Sequence, residues 1–549
     1  MIQIVKGMQQ MNTQSLWWRD GVIYQIYPRS YQDTTGNGIG DLAGITAKLD
    51  YIANLGVDAI WLSPVYPSPD ADFGYDVADY LGIDPKFGTM QDFETLLDEA
   101  HQRGLRIIMD LVLNHTSDQH AWFVEARKSK ENPYHDYYIW QDADQDGKPP
   151  NNWGALFGGS AWEWDETVQQ YYLHLFYKEQ PDVNWRNPDT HDALLDVFRF
   201  WCDKGVDGFR LDVFNLYYKH PEFLDNPKKI PPAAPFFRTF DQQIHLYDYD
   251  QPEMMTVLGE IREILDQYPE RYAVGETFPE SPRSAAKYSQ PGKLHAAFNF
   301  EFTRCSWLAR PFMEAIQRYE GLLSPEQWPC YVLGNHDLPR PASRYARKEN
   351  DARLKVAAAM LLTLRGTPFI YYGDEIGQRD IPIKKKEDVL DPIGRSFWPF
   401  FKGRDGCRAP MQWNSEFNAG FSAGKPWLPV HSNYINRNVE SQEDNPASLL
   451  NFYKALLKLR KAHPALQNGS FKVLNNNPRF ILAYQRKDEE ETILILLNFS
   501  NYERDLELEN FDPLEWKVIL TNHVSHSLRI QNGILSLQGN QAVILEKKK

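Results

Sequence analysis

The chain has 549 residues, more than one hydrophobic core usually supports, so two or three domains are expected. Its 59 Lys+Arg against 74 Asp+Glu leave a formal net charge of −15, which argues against nucleic acid or an anionic membrane surface as a partner. The four cysteines (Cys202, Cys305, Cys330 and Cys407) form no C-x-x-C pair, so neither a disulfide framework nor a zinc site is expected and a cytoplasmic location fits best.

Residues 1–16 read as an N-terminal extension. They hold no signal-peptide run, and no later stretch has the length of a membrane span. From about Val22 short β-rich runs alternate with helical periods, the pattern of βα units around a parallel sheet. The candidate strands are 22–27, 59–62, 106–113, 208–212, 272–275, 296–299, 331–334 and 368–371. Eight such runs predict an α/β fold closed as a (β/α)8 TIM barrel, with its first part at 17–115 and its second at 180–464. Apolar residues at helical spacing predict outer helices over 45–55 and 90–101. The connection 116–179, rich in Trp, Tyr, Asn, Pro and Gly, is too long for a structureless loop and reads as a small inserted domain after the third strand. A second long connection spans 374–447, and helical periodicity returns at 449–459. After Pro464 alternating runs at 479–485, 492–499, 516–520 and 541–545 predict a C-terminal antiparallel β-sandwich over 465–549.

Three acids stand at the polar ends of predicted barrel strands: Gly208-Phe-Arg-Leu-Asp212, Tyr272-Ala-Val-Gly-Glu276 and Val332-Leu-Gly-Asn-His-Asp337. A parallel barrel gathers such ends at one mouth, and carboxylates converging there suit glycoside chemistry. One carboxylate attacks the anomeric carbon while a protonated partner donates to the leaving oxygen, and a separation of about 5–5.5 Å gives retention. Arg210, two residues before Asp212 on the same strand face, is expected to hold that acid ionised, whereas Glu276 needs a raised pKa to act as the acid. The aromatic share of 14%, including 16 Trp and 29 Tyr, serves packing and also offers faces for sugar rings.

These segments, with Asp110-Leu-Val-Leu-Asn-His115 ahead of them, resemble in order the four signature segments of the α-amylase superfamily of glycoside hydrolases (family 13), in particular its α-glucosidase and oligo-1,6-glucosidase branch. The similarity runs from about Trp17 to the final sandwich. It implies Asp212 as nucleophile, Glu276 as acid/base and Asp337 as the third carboxylate, with His115, Arg210 and His336 around the first glucose. It also implies that Asp72 fixes the outer hydroxyls, that Tyr75 is the aromatic platform, that Phe176 and Gln180 lie beside the cleaved bond, and that Arg408 pairs with the outer acid and closes the pocket. Taken singly, the histidines and aromatics would be packing or capping residues; the matched context makes them substrate contacts. Val213 after the nucleophile resembles the α-1,6-cleaving members, while Leu338 stands where a Gln is frequent, and His245-Leu-Tyr-Asp-Tyr-Asp-Gln-Pro-Glu253 resembles a less typical bacterial subgroup that includes α-1,4-preferring and transglucosylating enzymes.

The resemblance thus implies a retaining exo-α-glucosidase for short isomalto- or malto-oligosaccharides, with small α-glucosides as partners, no membrane, and the oligomeric state open. The alternatives are a trehalose-6-phosphate hydrolase, for which Lys384-Lys-Lys386 is the obvious basic cluster, or a sucrose- or trehalose-converting enzyme; a non-catalytic transporter subunit or a binding scaffold is disfavoured by the three retained acids. No cofactor is required. The loop Asp33-Thr-Thr-Gly-Asn-Gly-Ile-Gly-Asp41 resembles a calcium loop with one carboxylate lost, so a structural calcium or magnesium would take Asp33, Asn37, the Ile39 carbonyl and Asp41, the alternative being a plain Gly-rich turn.

Overall fold

A computed structural model describes residues 16–231, 238–278, 281–346, 350–475, 479–509, 511–523, 529–531 and 534–548. All but the last residue of the expected N-terminal extension lies outside the described residues. The eight barrel strands are Ile23–Ile26, Ala59–Leu62, Arg106–Leu111, Gly208–Leu211, Tyr272–Gly275, Ala296–Asn299, Cys330–Tyr331 and Phe369–Tyr371. They form one parallel sheet in the order seventh to third, second, first, eighth. A single parallel bridge between Val332 and Phe369 joins the two edge strands and closes the (β/α)8 barrel. The seventh strand is shorter than the 331–334 run suggests because the chain leaves the ladder after that bridge, turning where Asn335 Oδ1 accepts the Asp337 N–H (2.9 Å).

Alternation along the strands divides their side chains between two cores. Ile23, Trp61, Ile108, Val274, Phe298 and Phe369 pack inside the barrel. Their neighbours Tyr24, Ile60, Met109, Ala273, Ala297 and Ile370 pack outward in the layer between strands and helices. Met90–Gln102 shows how that layer is made: a Thr89–Asp92 capping box starts the helix, and Phe93, Leu96, Leu97 and Ala100 form its buried stripe. The helix expected over 45–55 is two, Leu42–Ala47 and Leu49–Leu55, broken at Lys48.

The connection after the third strand carries a three-stranded antiparallel sheet, with Gln170–Leu173 between Trp140–Gln141 and Trp162–Asp165. The connection after the eighth strand holds only short helices such as Pro392–Phe397. Both reach the barrel mouth, where Phe157, Trp162 and Phe176 of the first and Ile393 and Phe397 of the second share an apolar cluster with Val213 and Leu216.

Beyond the barrel, a five-stranded antiparallel sheet (central strands Ile481–Lys487, Thr492–Asn498 and Ala542–Lys547) faces a three-stranded one. Both faces of the larger sheet are apolar. Ile481, Leu494, Leu496, Val543 and Leu545 turn toward the smaller sheet, whereas Leu482, Tyr484, Ile495, Leu497 and Ile544 join the barrel's outer core. The helix Ala352–Thr363 lies in that seam and is buried from Val356 to Thr363, which accounts for its run of small residues. Its Thr363 hydroxyl meets the Tyr484 hydroxyl at 2.5 Å, and its Thr363 carbonyl accepts from Arg486 at 2.8 Å.

Candidate active site

Asp212 follows directly on the fourth strand, and its N–H donates to the Leu111 carbonyl of the third at 2.9 Å. Glu276 follows on the fifth, its N–H on the Leu211 carbonyl of the fourth at 2.9 Å. The two acids therefore stand level at neighbouring strand ends. Gly275 has to lack a side chain here, since a Cβ would come within 2.3 Å of the Phe214 ring. Val213 turns with φ +34°, a left-handed backbone that is an outlier for a β-branched residue. Strain of this kind, about 1–3 kcal/mol, persists only where the surroundings impose it, and the cluster of both long connections packs around this residue.

Arg210 is buried beneath these two acids and touches both of them and Asp110. Its Nη1 donates to Asp110 and to Asp212, each at 2.6 Å, and its Nη2 meets Glu276 Oε2. Asp212 and Glu276 thus occupy the terminal nitrogens of one planar guanidinium, a bridge that favours the short separation of about 5–5.5 Å over the about 6.5–9.5 Å of inverting sites. Burial pushes the Asp212 carboxyl up to about 7; Arg210 pulls it down, but Asp110 and Asp337 add negative charge. The expected pull of Arg210 toward the ionised form is present, but burial outweighs it and the cation is shared with Asp110 and Glu276.

Asp337 lies beyond the seventh strand. Its Oδ1 accepts from Arg408 Nη2 (2.8 Å) and Arg404 Nη1 (3.4 Å), and its Oδ2 lies 3.2 Å from His336 Nε2. Burial raises it, yet His336, Arg404 and Arg408 together hold it well below the usual carboxylate range. His336 receives the Gln25 amide nitrogen at Nδ1 (2.8 Å), which leaves its proton on Nε2, 2.5 Å from the Tyr75 hydroxyl. Tyr75 in turn donates to Asp110 (3.1 Å), and its ring lies parallel to His336 with centroids 5.3 Å apart.

The outer end differs from the expectation in one respect. Arg404, not Arg408, pairs with Asp72, at 2.5 Å, and grips Asp391 through Nε (3.0 Å) and Nη2 (2.9 Å). Arg408 is fully buried and donates instead to Asp337 and to the His336 carbonyl (2.9 Å), beneath the site rather than across it. Burial raises the Asp72 carboxyl, and Arg404 opposes that rise.

Asp72, Tyr75, His115, Phe176, Gln180, Asp212, Glu276 and Asp337 line a single cavity of about 220 Å³. Arg210, His336 and Arg408 support it from behind. Sequence reasoning missed Arg404, Leu156, Phe157, Phe278 and Asn335 in its wall. Asn335 lies within the segment Gly334-Asn-His-Asp337, which marks it; the others lie in irregular segments that carry no periodic signal.

In the predicted metal loop the candidate ligands are engaged with protein donors. Asp33 spends its carboxylate on the N–H groups of Thr35 (2.9 Å), Gly36 (2.8 Å) and Gly38 (2.7 Å) and on the Ser422 hydroxyl (2.5 Å). Asp41 caps the helix Leu42–Ala47 through Gly44 N (2.7 Å) and accepts from Thr34 N (2.8 Å). Asn37 Oδ1 accepts the Ile39 N–H at 2.7 Å. The Asp33 and Asp41 carboxylates are thus occupied by protein donors that tie the turn together, and Asn37 turns its oxygen back into the same loop.

A parallel barrel with three acids at its mouth is the architecture of a glycoside hydrolase. Residues 25–469 match the family model described as alpha amylase, catalytic domain, and residues 471–528 match maltogenic amylase, C-terminal domain. The chain belongs to the α-amylase family, glycoside hydrolase family 13. It is 45% identical over 527 residues to a probable α-glucosidase of Rhizobium meliloti (strain 1021), covering 94% of this chain and 95% of the relative. It is 41% identical over 521 residues to the oligo-1,6-glucosidase of Parageobacillus thermoglucosidasius, covering 88% and 91%. A solved structure of an α-glucosyl transfer enzyme, XgtA, superposes with a TM-score of 0.91 at 41% identity, covering 97% of this chain and 100% of that one.

Proposed function

We propose that the protein is a retaining, exo-acting α-glucosidase that releases glucose from the non-reducing end of short isomalto- or malto-oligosaccharides. The observation that carries this is Arg210 bridging Asp212 and Glu276 at adjacent strand ends. In this reading Asp212 attacks the anomeric carbon while Glu276 protonates the leaving oxygen, and Glu276 then takes a proton from water, or from a sugar hydroxyl in transglucosylation. Asp337, kept ionised by its two arginines, holds sugar hydroxyls and supports the positive charge that develops on the ring. The Asp391–Arg404–Asp72 link walls the far end of the cavity, which supports attack from a chain end. Val213 inclines the preference to α-1,6 bonds, a difference worth about 1–3 kcal/mol.

A phosphorylated disaccharide is disfavoured: among the described residues lining the cavity Arg404 is the one cation, and it is engaged with carboxylates, while Lys384 to Lys386 are exposed. No helix among the described residues is long and apolar enough to cross a membrane. Four free cysteines, three of them buried, support a reducing cytoplasm.

The test is a comparison of initial rates on isomaltose, maltose, sucrose, trehalose and trehalose 6-phosphate, with the anomer of released glucose followed by NMR. Isomaltose ahead with α-glucose first is expected, and the E276Q variant should lose at least about 10²-fold in turnover. β-Glucose first, or no turnover of any of the five, rejects the reading; maltose or sucrose ahead rejects only the linkage.

A further inference from the structure

Behind His115 runs a buried polar chain that the proposed reaction does not itself use. Lys219, fully buried, donates to Asp182 Oδ2 at 2.5 Å and to Asn114 Oδ1 at 2.9 Å. The Asn114 amide nitrogen lies 3.2 Å from that same Asp182 oxygen and 3.1 Å from His115 Nδ1. Asp182 accepts on its other oxygen as well, from the Leu175 N–H at 3.0 Å.

A lysine ammonium only donates and a carboxylate only accepts. Lys219 and Asp182 therefore demand the same orientation of the Asn114 amide, oxygen toward the lysine and nitrogen toward the acid. The second amide hydrogen is then aimed at His115 Nδ1, which has to be bare to receive it. Burial draws the His115 pKa down to about 3, the Lys219 charge acting in the same sense, so the ring is neutral and has one proton to place. That proton sits on Nε2.

His115 Nε2 faces the Tyr75 carbonyl at 3.1 Å and the Gln180 amide nitrogen, also at 3.1 Å; the carbonyl accepts the ring proton, and the Gln180 amide nitrogen reaches that same oxygen at 3.3 Å. Two donors share one carbonyl with two lone pairs, and both side chains line the cavity. One donor can pass to an entering hydroxyl while the other keeps the carbonyl satisfied.

We propose that Lys219 is a positioning residue: acting through Asn114, it fixes His115 as the Nε2–H tautomer, so that the ring presents a donor to the substrate. The α-glucosidase reading enters only in naming that substrate; the tautomer follows from the buried chain. A purely structural role, in which Lys219 and Asp182 pin the inserted segment to the barrel, would leave the Tyr75 carbonyl alone to select the protonated nitrogen, and the loss of Lys219 would not change it.

The Asn114→Asp substitution separates the two. It keeps the Lys219–Asp182 pair but faces His115 Nδ1 with an acceptor, so the proton should move to Nδ1. The readout is the ¹⁵N spectrum of histidine-labelled protein near neutral pH, with His115 assigned by its disappearance in H115Q. The wild type is expected to show a bare Nδ1 and a protonated Nε2, and N114D the reverse. Loss of one donor to a developing charge should lower kcat/KM for 4-nitrophenyl α-glucoside about 10- to 100-fold. A second variant, K219M with D182N, removes both charges together so that neither is left buried alone; it should show both tautomers and at least a tenfold fall. A wild-type proton on Nδ1, or a folded double variant with wild-type tautomer and rate, overturns the proposal. Should the wild type turn over no α-glucoside, the spectra still decide the tautomer, so the two readings fail separately.

Discussion

Arg404 makes four side-chain contacts to three acids: two to Asp391 (3.0 and 2.9 Å), one to Asp72 (2.5 Å) and a long one to Asp337 (3.4 Å). A lysine brings the same charge on a single ammonium and cannot span this set. Asp391 is the anchor, because the Arg404 backbone N–H also donates there at 2.6 Å. In R404K the ammonium should stay with Asp391 and release Asp72. One charge-assisted hydrogen bond is worth about 1.5–3 kcal/mol, a factor of about 10–150 in kcat/KM. Since Asp72 is proposed to hold a hydroxyl remote from the cleaved bond, most of the loss should appear in KM. Initial rates on 4-nitrophenyl α-glucoside and its 4-deoxy analogue form a cycle between residue and hydroxyl. If Arg404 acts through Asp72, the deoxy substrate should lose less than about twofold on the same substitution. Equal losses on both substrates would refute this reasoning, and so would a hydroxyl-dependent loss in R408K with R404K silent.

The raised carboxyl of Asp212 has a pH signature. Its folded pKa of about 7 lies above the unfolded value of about 3.9, so the folded state binds the proton more tightly, and stability is lost as pH rises between the two. D212N should therefore melt higher than the wild type at about pH 8 and nearly level with it at about pH 4, and a lower melting point at about pH 8 would contradict the assignment. In turnover, the same ionisation should place the acid limb of kcat/KM near that pKa, seen as a rate that falls about tenfold per pH unit below it. For the turn at Asp33, D33N should cost about 1–3 kcal/mol through the donors it leaves unmatched, measured by denaturant unfolding. A chelator should leave the wild-type melting point unmoved, and a drop of several degrees would reinstate a bound cation.

Much of this site was legible because strand ends are loud signals. A short strand-like run that stops at an acid, as Phe209 to Asp212 does, announces both the strand and the direction of its carboxylate, and the barrel then determines which acids meet. Arg210 was legible by the same period of two. What alternation cannot convey is the path of an irregular chain. Arg404 and Arg408 lie four residues apart in a connection without periodicity, and their partners are decided by the turn at Asp391 and Asp405, whose carboxylate accepts from Leu390 N (2.7 Å). The raised state of Asp212 was hidden for another reason: the pull of Arg210 is visible in sequence, whereas the dehydration and the second acid, Asp110, a hundred residues away, are products of folding. Lys219 left a fainter trace, a lysine following Leu216-Tyr-Tyr218 in a segment otherwise apolar enough to be buried.

The three-way grip of Arg210 also orders the reaction in time. In the resting pocket one permanent cation faces Asp110, Asp212 and Glu276. When Asp212 becomes an ester on the proposed path, one negative charge leaves this group, while the guanidinium cannot give up its proton in exchange. Its whole attraction then falls on the two acids that remain. The ionised form of Glu276, which is the form that draws a proton from water or an acceptor, becomes easier to hold at the step that requires it. When water releases the sugar, the charge on Asp212 returns and the hold on Glu276 slackens, so one immobile arginine changes its allegiance twice per turnover without moving.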